Sequence, residues 1–231
     1  MKRVAILQSN YIPWKGYFDI INMADEFILY DDMQYTKRDW RNRNKIMTSA
    51  GVKWISIPIS TKGKFNQKIN ETKVLDNKWA DQHWKSLHYN YAKAKYFPDY
   101  ADRIKAIYEE CKDESYLSII NYKFIQEICS ILGICTKITW SSDYQLADGK
   151  TERLVQLVKD AGGSNYLSGP AAKNYIKEEL FEQAGIALEW MDYSKYPEYT
   201  QLSKVFEHGV SILDLIFNEG PGAAKFLKSI K

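Results

Sequence analysis

Two apolar runs at residues 4–7 and 26–30, separated by a polar break and a helical repeat, constrain this chain more than any other feature. Val4-Ala5-Ile6-Leu7 is continuous and too short for a helix, the pattern of a strand buried on both faces. Gln8-Ser9-Asn10-Tyr11-Ile12-Pro13-Trp14 ends it. From Lys15 onward, Tyr17, Phe18, Ile20, Ile21 and Met23 recur near helical spacing. The second run, Glu26-Phe27-Ile28-Leu29-Tyr30, closes on Asp31 and Asp32. A strand–loop–helix–strand unit of this kind opens an α/β sheet.

The rest of the chain alternates in the same way. Residues 53–59 read as a strand with Pro58 near its end, and residues 62–68 as a polar, basic loop. Helical periodicity runs from Trp79 to about Leu132, interrupted at Phe97-Pro98. Then follow a strand at 138–140, an amphipathic helix at 151–161, a strand at 165–167, a helix at 171–184 and a strand at 186–191. A tyrosine-rich loop leads to a last helix at 210–217, stopped by Gly220-Pro221-Gly222. The expected fold is one α/β domain over residues 1–231, a Rossmann-like, mostly parallel sheet with a helical insertion at roughly 79–132.

Composition narrows the function classes. Basic residues number 32 and acidic residues 29, a net charge of +3, too balanced to imply nucleic acid as a bulk partner. No apolar run approaches the ~20 residues of a membrane span, and the N-terminal run is shorter than the roughly 7–15 residues of a signal-peptide core. Cys111, Cys129 and Cys135 show no CxxC spacing, and the latter two flank an apolar stretch, so buried free thiols and a reducing cytoplasm are expected. The 17 Tyr, 7 Trp and 9 Phe suit a core with wet clefts or a ligand face for rings and sugars.

Four constellations carry candidate chemistry. Gln8, Asn10, Tyr11, Trp14, Lys15, Gly16 and Tyr17 sit where the first strand gives way to the first helix, the usual ligand position of an open parallel sheet. Helix-start amides beside Lys15 suit a phosphate, although the segment is neither a GxGxxG nor a Walker A loop. Asp31 and Asp32 could act as a base, with Gln34 nearby. The run with Trp40, Arg41, Asn42 and Arg43 offers guanidinium forks and a stacking face. His83, flanked by Asp81 and Trp84, is the histidine best placed for base work. Ser168, Gly169 and Lys173 form a second strand-to-helix junction. His208 precedes a helix whose apolar face reads as core. The plainer readings are a tight turn, a solvated charged loop, a structural histidine and a local helix cap.

Taken in order, Gln8, Tyr11 to Phe18, Asp31 to Tyr35, Trp40 to Arg43, Tyr166 to Pro170 and Ser211 to Gly220 resemble the WbqC-like family across nearly the whole chain. One departure stands out: Leu7 and Ser9 occupy places where the family commonly reads His-Gln-Pro, so no histidine role transfers there. The resemblance implies a bacterial protein of surface-polysaccharide (O-antigen) assembly, and a transferase placing an acyl or aminoacyl group on a nucleotide-linked amino sugar. Asp32, His83 or Asp31 would then take the amine proton. No cofactor is firmly implied beyond an activated acyl or aminoacyl donor; an aminoacyl-tRNA would be the one nucleic-acid partner. The alternatives are a Rossmann-like ligase or nucleotidyl transferase using ATP-Mg, and a non-catalytic partner of polysaccharide enzymes.

Overall fold

The computed structural model describes residues 1–230. The chain forms β1 (Arg3–Leu7), α1 (Lys15–Asn22) and β2 (Glu26–Leu29), then a hairpin of β3 (Arg43–Thr48) and β4 (Gly51–Ser56). Helices α2 (Lys78–Tyr91), α3 (Phe97–Cys111) and α4 (Leu117–Leu132) follow. The second half alternates β5 (Lys137–Trp140), α5 (Lys150–Asp160), β6 (Asn165–Ser168), α6 (Glu178–Gln183), β7 (Ala187–Trp190) and α7 (Ile212–Glu219). One five-stranded sheet runs β5-β2-β1-β6-β7, with every pairing parallel. This is a Rossmann-like α/β fold.

Side-chain alternation along the strands divides the interior in two. Ala5, Phe27, Leu29 and Leu167 enter a large core shared with α1, the α2–α4 helices and α7. Val4, Ile6, Ile28 and Tyr166 point to the other face, where α5 and α6 supply Leu154, Leu157, Val158 and Phe181. Burying each large apolar side chain is worth about 1.5–3 kcal/mol, so a one-residue slip of β1, which swaps the two sets, is strongly disfavoured.

Three expectations need correction. The basic run is a loop only as far as residue 42: Arg43–Thr48 is a strand paired antiparallel with β4, outside the parallel sheet, so the insertion between β2 and β5 contains a hairpin as well as helices. The expected helix at 171–184 is a 3-10 turn at Pro170–Asn174 and the separate short α6. Cys135 is exposed, while Cys111 and Cys129 are buried. Among the described residues no helix is long and apolar enough to cross a membrane.

Glu26 anchors the sheet electrostatically. Its fully buried carboxylate accepts from Lys2 Nζ at 2.7 Å, Thr139 Oγ1 at 2.9 Å, Lys137 Nζ at 3.2 Å and the Tyr144 hydroxyl. Burial opposes its charge, but these donors prevail and pull its pKa from 4.5 to about 2. A carboxyl depressed in the folded state adds stability that is complete above its unfolded pKa and disappears as pH falls through about 2. Urea unfolding of the wild type should therefore show stability rising with pH between about 2 and 4.5, and Glu26→Gln should flatten that rise.

Candidate functional site

In chain order the sheet strands read 3-2-1-4-5, so the winding direction reverses between β1 and β6. At such a switch point the crossovers leave to opposite faces and a crevice opens beyond the strand ends. A cleft of about 610 Å³ lies there. Ile6, Leu7 and Leu154 give it an apolar lining; Gln8, Tyr30 and Tyr175 add polar and aromatic edges; Lys150 and Arg153 bring positive charge from the first turn of α5.

Arg153 is fixed from two sides. Its Nε donates to the Ala147 carbonyl at 2.7 Å and its Nη1 to Asp32 Oδ2 at 3.0 Å. The other oxygen of Asp32 accepts from Ser141 Oγ at 2.5 Å. Both carboxylate oxygens are thus engaged, and Asp32 orients the arginine rather than standing free for a substrate proton. Lys150, by contrast, is exposed and makes no ion pair among the described residues. The carboxylate of Glu152 folds back on the amides of its own residue and Thr151, which lowers its pKa. The two cations, more than bare helix amides, are therefore what α5 presents to an anion. Burial pushes the Tyr30 hydroxyl up to about 12, so it remains a donor.

The segment after β1 is a structural knot. The Ser9 amide donates to Asp31 Oδ1 at 2.7 Å, and Ser118 Oγ on α4 donates to Asp31 Oδ2. Asn121 Nδ2 bridges Ser9 Oγ at 3.0 Å and the Arg41 carbonyl at 2.9 Å. Asp31, raised in pKa by burial, ties strand ends to α4 and does not face the cleft. Tyr11 is fully buried, its hydroxyl 2.9 Å from His83 Nδ1 and 2.6 Å from the Tyr108 hydroxyl. Both Tyr11 and His83 leave the site on this geometry: burial drops the His83 pKa to about 4, and its ring lies among Tyr11, Trp79 and Tyr108. Ile12 sits at φ +35°, a conformation branched residues rarely adopt. Asn44 holds it there, donating to the Tyr11 and Ile12 carbonyls at 3.0 and 2.9 Å.

The start of α1 is covered rather than open to phosphate. Trp14 packs over Gly16 so closely that a Cβ there would lie 2.3 Å from Trp14 Cζ2. Lys15 is only 2% exposed. Its ammonium donates to the Pro197 carbonyl at 2.7 Å and sits 5.1–5.6 Å from the rings of Tyr196, Tyr199 and Phe206. Burial lowers its pKa to about 8. Tyr17 is a positioning group, donating to the Gln8 carbonyl at 3.0 Å.

The hairpin contributes an aromatic stack. Trp40 lies 5.1 Å from Trp54, whose ring carries the Arg43 guanidinium at 4.1 Å. Arg41 donates to Asn10 Oδ1 and to the Ser9 carbonyl at 3.5 Å. Asn42 is internal, accepting from Tyr35 and donating to the Ile57 carbonyl, and Gln34 donates to the Phe65 carbonyl. Asn10, Pro13, Trp14, Trp40, Asn44 and His208 enclose a second, smaller cleft of about 280 Å³. At the β6 end, Ser168 is buried, Gly169 lies under Tyr193, and exposed Lys173 covers Trp190 at 5.3 Å.

Of the anticipated ligand residues, Gln8 therefore lines the large cleft and Asn10, Trp14 and Trp40 the small one. Tyr30, Lys150, Arg153, Tyr175 and His208 join them, although none was among the expected site residues. The Lys150/Arg153 pair on the first turn of an amphipathic helix was the available signal. The profile of the WbqC-like protein family matches residues 8–226. An uncharacterized protein of Mycobacterium tuberculosis is 52% identical over 228 residues, 99% of this chain and 98% of that one. No solved structure matches.

A histidine whose folded pKa is lowered stays neutral in the native state, and its stabilising effect fades as pH falls from 6.5 toward about 4. Nuclear magnetic resonance titration should accordingly leave the His83 ring signals unmoved from pH 8 to 5. A midpoint near 6.5 would contradict its enclosure by Tyr11 and Tyr108.

Proposed function

The chain belongs to the WbqC-like protein family, and from that membership we propose that it is a transferase acting on a nucleotide-activated amino sugar, delivering an acyl or aminoacyl group to the sugar amine in surface-polysaccharide biosynthesis. The observation that carries the reading is the switch-point cleft, which combines aromatic edges at Tyr30 and Tyr175 with Lys150 and Arg153. Aromatic faces suit a base, and paired cations suit a diphosphate. Its volume of about 610 Å³ falls within the ~300–1,000 Å³ usual for ligand pockets.

In this reading Asp32 holds the Arg153 fork toward the phosphates, and Gln8 reaches the ligand beside it. No cysteine, serine or lysine with an activating partner lines the cleft, so the amine attacks a bound acyl donor directly. A second reading, an ATP-using ligase or nucleotidyl transferase, draws on the strand order itself, which nucleotide-binding folds of many activities share. It needs a carboxylate for magnesium at the β2 end, where Asp32 is already bonded to Arg153 and Ser141.

Isothermal titration with uridine diphosphate, a uridine diphosphate sugar and ATP-Mg separates these readings. Lys150→Ala should weaken binding of the nucleoside diphosphate by about 1.5–3 kcal/mol, the size of a hydrogen bond to a charged group, with melting temperature unchanged. Arg153→Ala should weaken it similarly and also lower melting temperature, because it strands the Asp32 carboxylate, whose side chain is 4% exposed. Affinity unaltered in both variants would sink the cleft as a phosphate site; a preference for ATP-Mg would favour the second reading.

A further inference from the structure

The small cleft lies next to the large one along the same stretch of chain. Gln8 lines one and Asn10 the other, and two residues of extended chain reach at most about 7 Å. Arg41 sits on the partition between them, bonded to Ser9 and Asn10. A ligand with its phosphates at Lys150 and Arg153 can therefore extend over this partition, past the Arg41 guanidinium, which Asp39 pairs at 3.4 Å. At about 280 Å³ the small cleft falls just under the ~300–1,000 Å³ of ordinary ligand pockets, too small for a nucleotide and right for one ring.

Its walls specify what ring. Two indoles face it, and both are braced. Trp40, 39% exposed, is backed by Trp54, which in turn carries the Arg43 guanidinium, and Trp14 by Tyr193 and Tyr196 at 5.3 and 5.4 Å. Braced aromatic faces, exposed at Trp40 and half-buried at Trp14, cost little to order on binding and suit an apolar ring face. No carboxylate, lysine or arginine lines the space. Asn44 is committed to the Tyr11 and Ile12 carbonyls and to the Lys45 amide, whereas Asn10 Nδ2 and both ring nitrogens of His208 make no hydrogen bond among the described residues. An apolar face with a hydrogen-bonding rim is the surface of a pyranose.

We propose that this cleft is a monosaccharide site, holding the sugar ring of the activated substrate between Trp14 and Trp40 with its amine against His208. The assignment deepens the reading above and rests on it for the identity of the substrate. His208 is carried on the loop that Lys15 pins, with its ring 4.6 Å from Phe206. Burial and then the Lys15 charge lower its pKa, against the opposing Glu198 and Glu207; Lys45, paired with Glu207 at 3.8 Å, completes the charged surroundings. The imidazole is thus neutral near pH 7 and has a lone pair to offer. It takes one proton from the sugar ammonium. The freed amine forms an N–C bond to the acyl carbonyl as the donor's ester or thioester bond breaks, the imidazolium returns its proton to the departing oxygen or sulfur, and the second proton of the nitrogen passes to solvent to leave the neutral amide.

The test uses free glucosamine, which needs no nucleotide, titrated to tens of millimolar into nitrogen-15-labelled protein. The indole N–H resonances of Trp14 and Trp40, assigned through Trp14→Phe and Trp40→Phe, should shift together. Trp40→Ala should abolish the shift at Trp14, and His208→Gln should weaken glucosamine by roughly tenfold, the loss of one charge-assisted hydrogen bond, while sparing glucose. Lys150→Ala should change neither. Silent indoles, shifts confined to other tryptophans, or a response that follows Lys150 would overturn the assignment. Silence with uridine diphosphate binding intact removes the sugar site alone. Shifted indoles with no nucleotide binding remove the nucleotide reading and leave the sugar site standing.

Discussion

The hydrogen bond from the Ser9 amide to the buried Asp31 carboxylate is the contact on which both clefts depend. It joins the ends of β1 and β2, and through Ser118 and Asn121 it fastens both to α4. Removing the carboxylate would leave a buried amide and a buried hydroxyl without partners, at about 1–3 kcal/mol each. Everything downstream follows from that fixed point. Gln8 on one side and Asn10 on the other have their directions set by it, and the strained turn at Ile12 persists because Asn44 closes it from the hairpin. A motif dense in polar and aromatic residues is here mostly scaffold, with Gln8, Asn10 and Trp14 facing ligand space.

This explains what the sequence revealed and what it hid. The runs at β1 and β2 were legible because a strand buried on both faces is continuously apolar, whereas the edge strands β5 and β7, only partly buried, showed as short apolar stretches. The first strand of the hairpin was not, although the second overlapped the strand expected at 53–59, because β3 carries Arg43 and Lys45 on one face and Asn44 on the other. Its alternation is between cation and amide, not between polar and apolar, yet Asn42, Asn44, Ile46 and Met47 are buried. Asn42 and Asn44 point inward, satisfying the backbone carbonyls of Ile57, Tyr11 and Ile12.

The candidate site was half legible for a topological reason. Local sequence locates strand ends, and it led to Gln8 and to the β6 junction. It does not say that the chain leaves the edge strand β5, crosses the sheet and returns beside β1, which is what brings α5 and its cations to the reversal point. Asp32 shows the same limit. Its place at a strand end suggested a proton acceptor, and only the fold reveals Arg153 across from it, 121 residues away in the chain.

The large cleft draws its walls from residues 6–8, 30–33, 149–154 and 175, so no contiguous piece of the chain contains it. Closing a loop of well over a hundred residues has an entropy cost that grows only logarithmically with length, but the parallel pairing on both sides of β1 must precede any ligand contact. Occupancy of this cleft is therefore a global event. A ligand that fills it is coupled to the cooperative unfolding of the whole sheet, raising the free energy of opening by RT ln(1 + [L]/Kd) for both halves at once. The chain would register its substrate as a change in lifetime as well as in chemistry, with the empty protein the more exposed to proteases wherever opening and closing are fast relative to cleavage.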